Sequence, residues 1–249
     1  MLEKKAAPIV REMVRGKLFT KQFAAREDSD CNVAKLHMHY NATQRGLKKG
    51  FLIDVRKAFD SVIWTRLEEK IRAKMCEQRT LLIAFLYLYR TLKIEIAGGE
   101  IAPQRGDPQG TVFGPVLFCI YIDDELREAA RENEEVEIQA FMEDILLQTE
   151  RMNELQKGAS KLIIDLAAIN MLLNPDKCEL VTDDAEDYLI EPIENTVIGA
   201  KSMVKYLGQV VNSEGKSTTA LTTRMYGKIG GSTRESGRAV ISEKILAHL

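Results

Sequence analysis

The chain is poor in cysteine, proline and histidine, carries no long apolar run, and has no strong excess of either charge. Its 249 residues include four cysteines, six prolines, three histidines and one tryptophan. Cys31, Cys76, Cys119 and Cys178 lie far apart with no C-x-x-C pair. That spacing disfavours a disulfide framework or a zinc site and favours free thiols in a reducing compartment. His37 and His39 form an H-x-H on a predicted helix, where residues two apart point to different sides. They are read as surface or packing residues. The longest apolar run, Val112 to Ile122, has eleven residues, whereas a membrane span needs roughly 20. Met1-Leu2-Glu3-Lys4-Lys5 carries an early acid and no apolar core, so no secretion signal is expected, and the chain is read as intracellular. What remains is ordinary: 45% apolar and 29% charged residues, a globular composition that excludes collagen-like and low-complexity classes. The length suits one large domain or two intimate ones.

Net charge is only −2, but its distribution is uneven. Residues 1–57 hold thirteen Lys/Arg against six Asp/Glu, residues 122–144 hold ten Asp/Glu against two Arg, and residues 201–249 hold eight Lys/Arg against three Glu. Basic ends suit a phosphate backbone and an acidic middle suits cations. Solvated helix faces explain the same pattern.

Periodicity predicts helices over 2–15, 31–49 (Asp30 as N-cap), 65–75, 78–91, 112–130, 151–170 and 218–248. Strands are predicted over 51–55, 92–97 (stopping at Gly98-Gly99), 136–141, 145–148, 178–181, 197–200 and 204–211. Residues 106–110 read as a loop. The pattern is α+β, a small antiparallel sheet with helices on one face.

Two sets of carboxylates sit among apolar residues. Asp54 ends an apolar strand, and Glu143 and Asp144 occupy the tip of a tight hairpin. A charge in a sheet is costly unless it is paired or bound to a cation. Acids on neighbouring strand ends suit Mg²⁺, and two such ions would clamp an in-line phosphoryl transfer. A hairpin turn with solvated acids is the plainer reading.

Four blocks in order decide between them. They are Phe51-Leu52-Ile53-Asp54-Val55-Arg56-Lys57-Ala58-Phe59-Asp60; then Gly106-Asp107-Pro108-Gln109-Gly110 followed by Gly114-Pro115-Val116-Leu117-Phe118; then Phe141-Met142-Glu143-Asp144; and finally Asn174-Pro175-Asp176-Lys177 with Tyr206-Leu207-Gly208. Over about residues 28–212 the chain resembles the reverse transcriptase domain of non-LTR (LINE-type) retroelements. These blocks correspond to motifs A, B, C, and D with E.

The resemblance implies a right-hand polymerase. Residues 1–49 would be partial fingers and N-terminal helices, 50–212 the palm with embedded finger elements, and 213–249 the start of the thumb. It implies RNA-directed DNA polymerase activity by two-metal nucleotidyl transfer to a primer 3′-hydroxyl, with RNA template, DNA primer and dNTPs as partners. Two Mg²⁺ ions, replaceable by Mn²⁺, would be held by Asp54, the Val55 carbonyl, Glu143 and Asp144. Phe59 would be the aromatic steric gate against a 2′-hydroxyl. Gly106, Gln109 and Gly110 would lie along template and incoming nucleotide, with Gly106 and Gly110 allowing close backbone approach. Lys177 would neutralise or protonate the leaving pyrophosphate, and Tyr206, Leu207 and Gly208 would grip the primer.

The chain departs from the family pattern at Glu143, which stands where motif C has its first Asp. Glutamate reaches roughly 1.5 Å further, and misplacing a catalytic ligand by ~1 Å can cost about 10²-fold. Early finger motifs have no clear counterpart, a thumb would run beyond Leu249, and no endonuclease segment is seen. The alternative reading is a weak or inactive polymerase-like module that binds RNA or protein.

Overall fold

The computed structural model describes residues 12, 14, 16–25, 29–75, 79–91, 93–107, 111 and 113–217. Helices expected over 2–15 and 218–248 fall wholly or mostly outside them, as do Gln109 and Gly110.

Five α-helices are described: α1 (Cys31–Gln44), α2 (Trp64–Lys74), α3 (Arg79–Thr91), α4 (Gly114–Glu132) and α5 (Met152–Ala168). The first begins where expected. The Asp30 carboxylate accepts the backbone N–H groups of Asn32 (2.7 Å) and Val33 (3.0 Å), two of the donors a helix start leaves unpaired. At α4 the Thr111 hydroxyl accepts the Gly114 N–H at 3.0 Å, and Pro115 sits in the first turn, where its missing N–H costs nothing.

Ten strands are described: β1 (Lys49–Ile53), β2 (Ile94–Ile96), β3 (Gly99–Ile101), β4 (Glu137–Phe141), β5 (Asp144–Thr149), β6 (Glu179–Val181), β7 (Tyr188–Ile190), β8 (Val197–Lys201), β9 (Met203–Tyr206) and β10 (Gln209–Asn212). Six form one sheet in the order β4-β5-β1-β6-β8-β7. It is antiparallel except at β6 and β8, which run parallel. The stretch expected as one strand over 204–211 is a hairpin. Leu207 (φ 44°) and Gly208 (φ 79°) both take the left-handed region, the geometry of a tight two-residue turn.

One face of the sheet presents Phe51, Ile53, Ile138, Ala140, Ile145 and Leu147 to apolar side chains of α4 and α5 in a single buried cluster. The other face is not bare. Leu52, Leu146 and Val181 pack beneath Met38 of α1 and Val204, Tyr206 and Val211 of the β9–β10 hairpin. This second layer also carries polar side chains, all buried. Gln139 donates to the Tyr206 hydroxyl (2.8 Å) and the Ala34 carbonyl (3.0 Å), its oxygen meets His37 Nδ1 at 2.5 Å, and Asn41 donates to Gln148 (3.2 Å). His37 therefore packs, as expected of it, and burial lowers its pKa.

The acidic stretch is largely paired to protein cations. Asp123 meets Lys74 and Arg127, Glu125 meets Lys70, and Glu137 meets Lys21 and Arg45. At the opposite sheet edge, the Gln156 amide donates to the Ile190 carbonyl (2.7 Å) and accepts the Ile190 N–H (2.8 Å). Cys31, Cys119 and Cys178 are free thiols. Among the described residues no helix is long and apolar enough to cross a membrane.

Candidate active site

Strand register builds the site. β1 and β5 pair antiparallel with Leu52 opposite Leu146 and Ile53 opposite Ile145. The next step in that register sets Asp54 across from Asp144. Alternation along a strand puts both acids on the face of Leu52 and Leu146. The tip of β4–β5 is a two-residue loop, Met142-Glu143, closed by the Phe141–Asp144 pair. Met142 takes φ 57° there, a left-handed conformation uncommon for a side chain of its size. Asp144 thus stands on the strand while Glu143 stands on the loop.

The electrostatics are those of uncompensated acids. Partial desolvation at the exposed end of β5, and then the charges of Glu143 and Asp54, push the Asp144 carboxyl up to about 6. Among the described residues Asp54, Glu143 and Asp144 have no salt-bridge partner. Oxygen donors that repel one another and lack a base fit a hard divalent cation. Among the described residues, however, no three His, Cys, Asp or Glu side chains are grouped closely enough to hold an ion by themselves.

The 172–178 segment fixes the backbone on both sides of Asp54. Arg56 N–H donates to the Leu172 carbonyl (2.8 Å), Asn174 N–H to the Asp54 carbonyl (2.9 Å) and Asp54 N–H to Cys178 Sγ (3.4 Å). This Val55–Leu173 bridge leaves the Val55 carbonyl outside its hydrogen bonds. Lys177, in the same segment, is exposed. Nothing in the sequence singled out Cys178 as a support for Asp54, because the two are 124 positions apart.

Two of the residues expected to contact nucleic acid lie against other parts of the protein. Gly106 (φ 98°) lies against motif A rather than along an open face. Its N–H donates to the Val62 carbonyl (2.9 Å), its carbonyl accepts Trp64 Nε1 (2.6 Å), and an added Cβ would come within 3.3 Å of Asp60 Cα. The glycine serves a close approach of protein to protein. Tyr206 is 1% exposed with its hydroxyl held by Gln139, so its ring is core. Leu207 is half-buried against the same cluster and Gly208 is exposed at the turn. Phe59 is half-buried and stacked on Phe118, with ring centroids 4.6 Å apart.

Asp107 is 3% exposed, and neither carboxylate oxygen has a hydrogen-bond partner among the described residues. Burial lifts its acid to about 7. An unfolded Asp titrates near 3.9, so the folded state favours the proton, and stability falls as pH rises from ~4 to ~7. Asp107→Asn should therefore stabilise the protein by about 4 kcal/mol at pH 8 and by close to nothing at pH 3.5. Urea unfolding at both pH values checks this; an equal gain at the two would contradict it.

A sheet ending in facing acids, helices on its back and a hairpin over its front is the arrangement of a nucleotide polymerase palm. The family model for reverse transcriptase (RNA-dependent DNA polymerase) matches residues 1–211, and the chain belongs to that family, which generally works with divalent metal ions. Among curated proteins it is 27% identical over 189 residues to the retrovirus-related Pol polyprotein from type-1 retrotransposable element R2 of Nasonia vitripennis. That match covers 66% of this chain and 18% of the polyprotein. Among solved structures, apo telomerase from Candida tropicalis superposes with a TM-score of 0.63 at 10% identity, covering 86% of this chain and 39% of that one. Telomerase from Candida albicans, in complex with a fragment of telomeric RNA, gives 0.57 at 14% identity, covering 85% and 37%. At such identities the likeness is one of fold.

Proposed function

We propose that this chain is the reverse transcriptase domain of a non-LTR retroelement and extends a DNA primer on an RNA template, inside the cell. The observation that carries the reading is the β1–β5 register, which sets Asp54 across from Asp144 beside the Met142-Glu143 loop. Residues 50–212 act as the palm, the preceding segment as partial fingers, and 213–249 as the start of a thumb. Asp54, Glu143, Asp144 and the Val55 carbonyl are the oxygen donors for Mg²⁺ or Mn²⁺. Divalent ions there supply Lewis-acid stabilisation of the attacking and leaving oxygens.

The chain's own residues do the rest. The 172–178 segment holds Asp54 in place. Phe59, braced on Phe118, crowds a 2′-hydroxyl and favours deoxynucleotides. Gln109 and Gly110 lie along template and incoming nucleotide, while Leu207-Gly208 touches the primer. The primer 3′-oxygen bonds to the α-phosphorus of the dNTP as the bond to pyrophosphate breaks. The hydroxyl proton leaves to water, and Lys177 Nζ neutralises or protonates the departing pyrophosphate oxygen.

Glu143, standing where the family carries an aspartate, favours a second reading, a weak or silent polymerase fold that binds RNA. Primer extension on poly(rA)/oligo(dT) with Mg²⁺ or Mn²⁺ separates the two. We expect slow incorporation that Glu143→Asp raises by about 10-fold or more, since the shorter acid restores the ligand position. If both proteins are inert while RNA binding persists and weakens with salt, the silent module is the correct reading.

A further inference from the structure

We propose that Gln22 is a positioning residue for the acidic turn, holding Met142 in its left-handed conformation so that Glu143 and Asp144 are presented to a divalent cation. The inference deepens the metal-binding reading of those acids and rests on it for the cation. Gln22 lies 120 positions from Met142 and is 1% exposed. Its amide oxygen accepts the Met142 N–H at 3.0 Å, and its amide nitrogen donates to the Met142 carbonyl at 3.3 Å. One side-chain amide thus meets both polar groups of one residue, as a neighbouring strand would.

The segment carrying Gln22 is itself anchored. Gln22 forms a parallel bridge with Ala140, and Ala140 N–H donates to the Lys21 carbonyl at 2.9 Å. The Met142 side chain is held on another side, with its sulfur 3.8 Å from Cys119 Sγ. A methionine at φ 57° is a conformation that surroundings must impose. Glu143 and Asp144 follow directly in the chain, so any relaxation at Met142 rotates both carboxylates. An active site tolerates little of that, because ligand geometry sets both cation affinity and rate.

The test uses the full chain and two readouts. Gln22→Met conserves volume and removes donor and acceptor together; if it fails to fold, Gln22→Asn, one methylene short, takes its place. Hydrogen exchange at the Met142 amide should quicken by about tenfold or more, since its bonding partner is gone. Mn²⁺ binding, followed by water proton relaxation, should weaken by about fivefold or more. In a Met142→Gly background the same change should alter the Mn²⁺ Kd less than about twofold, because glycine adopts the left-handed conformation unaided. A purely structural Gln22 would lower the melting temperature and weaken Mn²⁺ equally in both backgrounds, and that overturns the proposal. So does unchanged exchange at Met142. A wild-type protein that binds no Mn²⁺ would sink the metal reading instead, and exchange alone would then judge the clamp.

Discussion

Asp54→Asn is expected to reduce dNTP incorporation by about 10²- to 10³-fold while leaving the protein folded. Removing a preorganised electrostatic group from a phosphoryl-transfer site costs on the order of 10²–10³ per donor, and Asp54 is the acid whose backbone is fixed on both sides. Its carboxylate also repels Asp144, whose acid it helps to raise. Neutralising it relieves that repulsion. The asparagine variant should therefore melt at or slightly above the wild-type temperature in the absence of metal, and below it once Mg²⁺ stabilises only the wild type. Single-turnover extension and thermal unfolding with and without Mg²⁺ read the two effects separately. Incorporation within tenfold of wild type would remove Asp54 from the chemistry.

Asp123→Ala should be the most damaging change to stability, at about 3–5 kcal/mol, the usual loss when a buried ion pair is broken from one side. Asp123 is 1% exposed. Its carboxylate accepts the Phe19 N–H (2.5 Å), Lys74 Nζ (2.7 Å) and Arg127 Nε (2.7 Å), and Arg127 reaches on to the Lys17 carbonyl at 2.7 Å. One side chain of α4 therefore ties down α2 and the 17–19 segment together. Alanine would leave the Phe19 N–H without its acceptor, Lys74 with Asp124 as its remaining partner and Arg127 with the Lys17 carbonyl. At roughly 2–4 °C per kcal/mol for a chain of this size, the melting temperature should fall by about 10 °C. A loss under about 1 kcal/mol in urea unfolding would show that the cluster contributes little.

The places of the acids were legible because a lone carboxylate beside a continuous apolar run is a local signal, and both strands are such runs, buried on their two faces; the role expected of them came from the family resemblance. Asp54 and the Met142-Glu143 loop could be placed from neighbouring residues alone. Gln22 could not. A lone glutamine has no periodicity, and its role exists only once residue 22 lies beside residue 142. The lysines of α2 that neutralise the acidic stretch are likewise a tertiary fact, which is why that stretch read as solvated or cation-binding. The 204–211 run reads as one strand because Leu207 is apolar, and a leucine at φ 44° violates the turn preference that sequence reading relies on. Strand β7 is three residues long among acids, too short to show alternation. Gly106 was read as making room for nucleic acid, although glycine marks close approach without naming the partner.

The amide of Gln156 on Ile190 bears on how the molecule keeps to itself. Tyr188 and Ile190 expose 55% and 40% of their surface along an outermost strand, the sort of rim that invites a foreign chain to zip on. A newcomer would find the Ile190 hydrogen-bonding groups already occupied by a counterfeit peptide from the protein's own helix. Aggregation along that rim is thereby discouraged by a capped backbone, in addition to the acids and the proline that bound the strand, Asp187, Glu191 and Pro192.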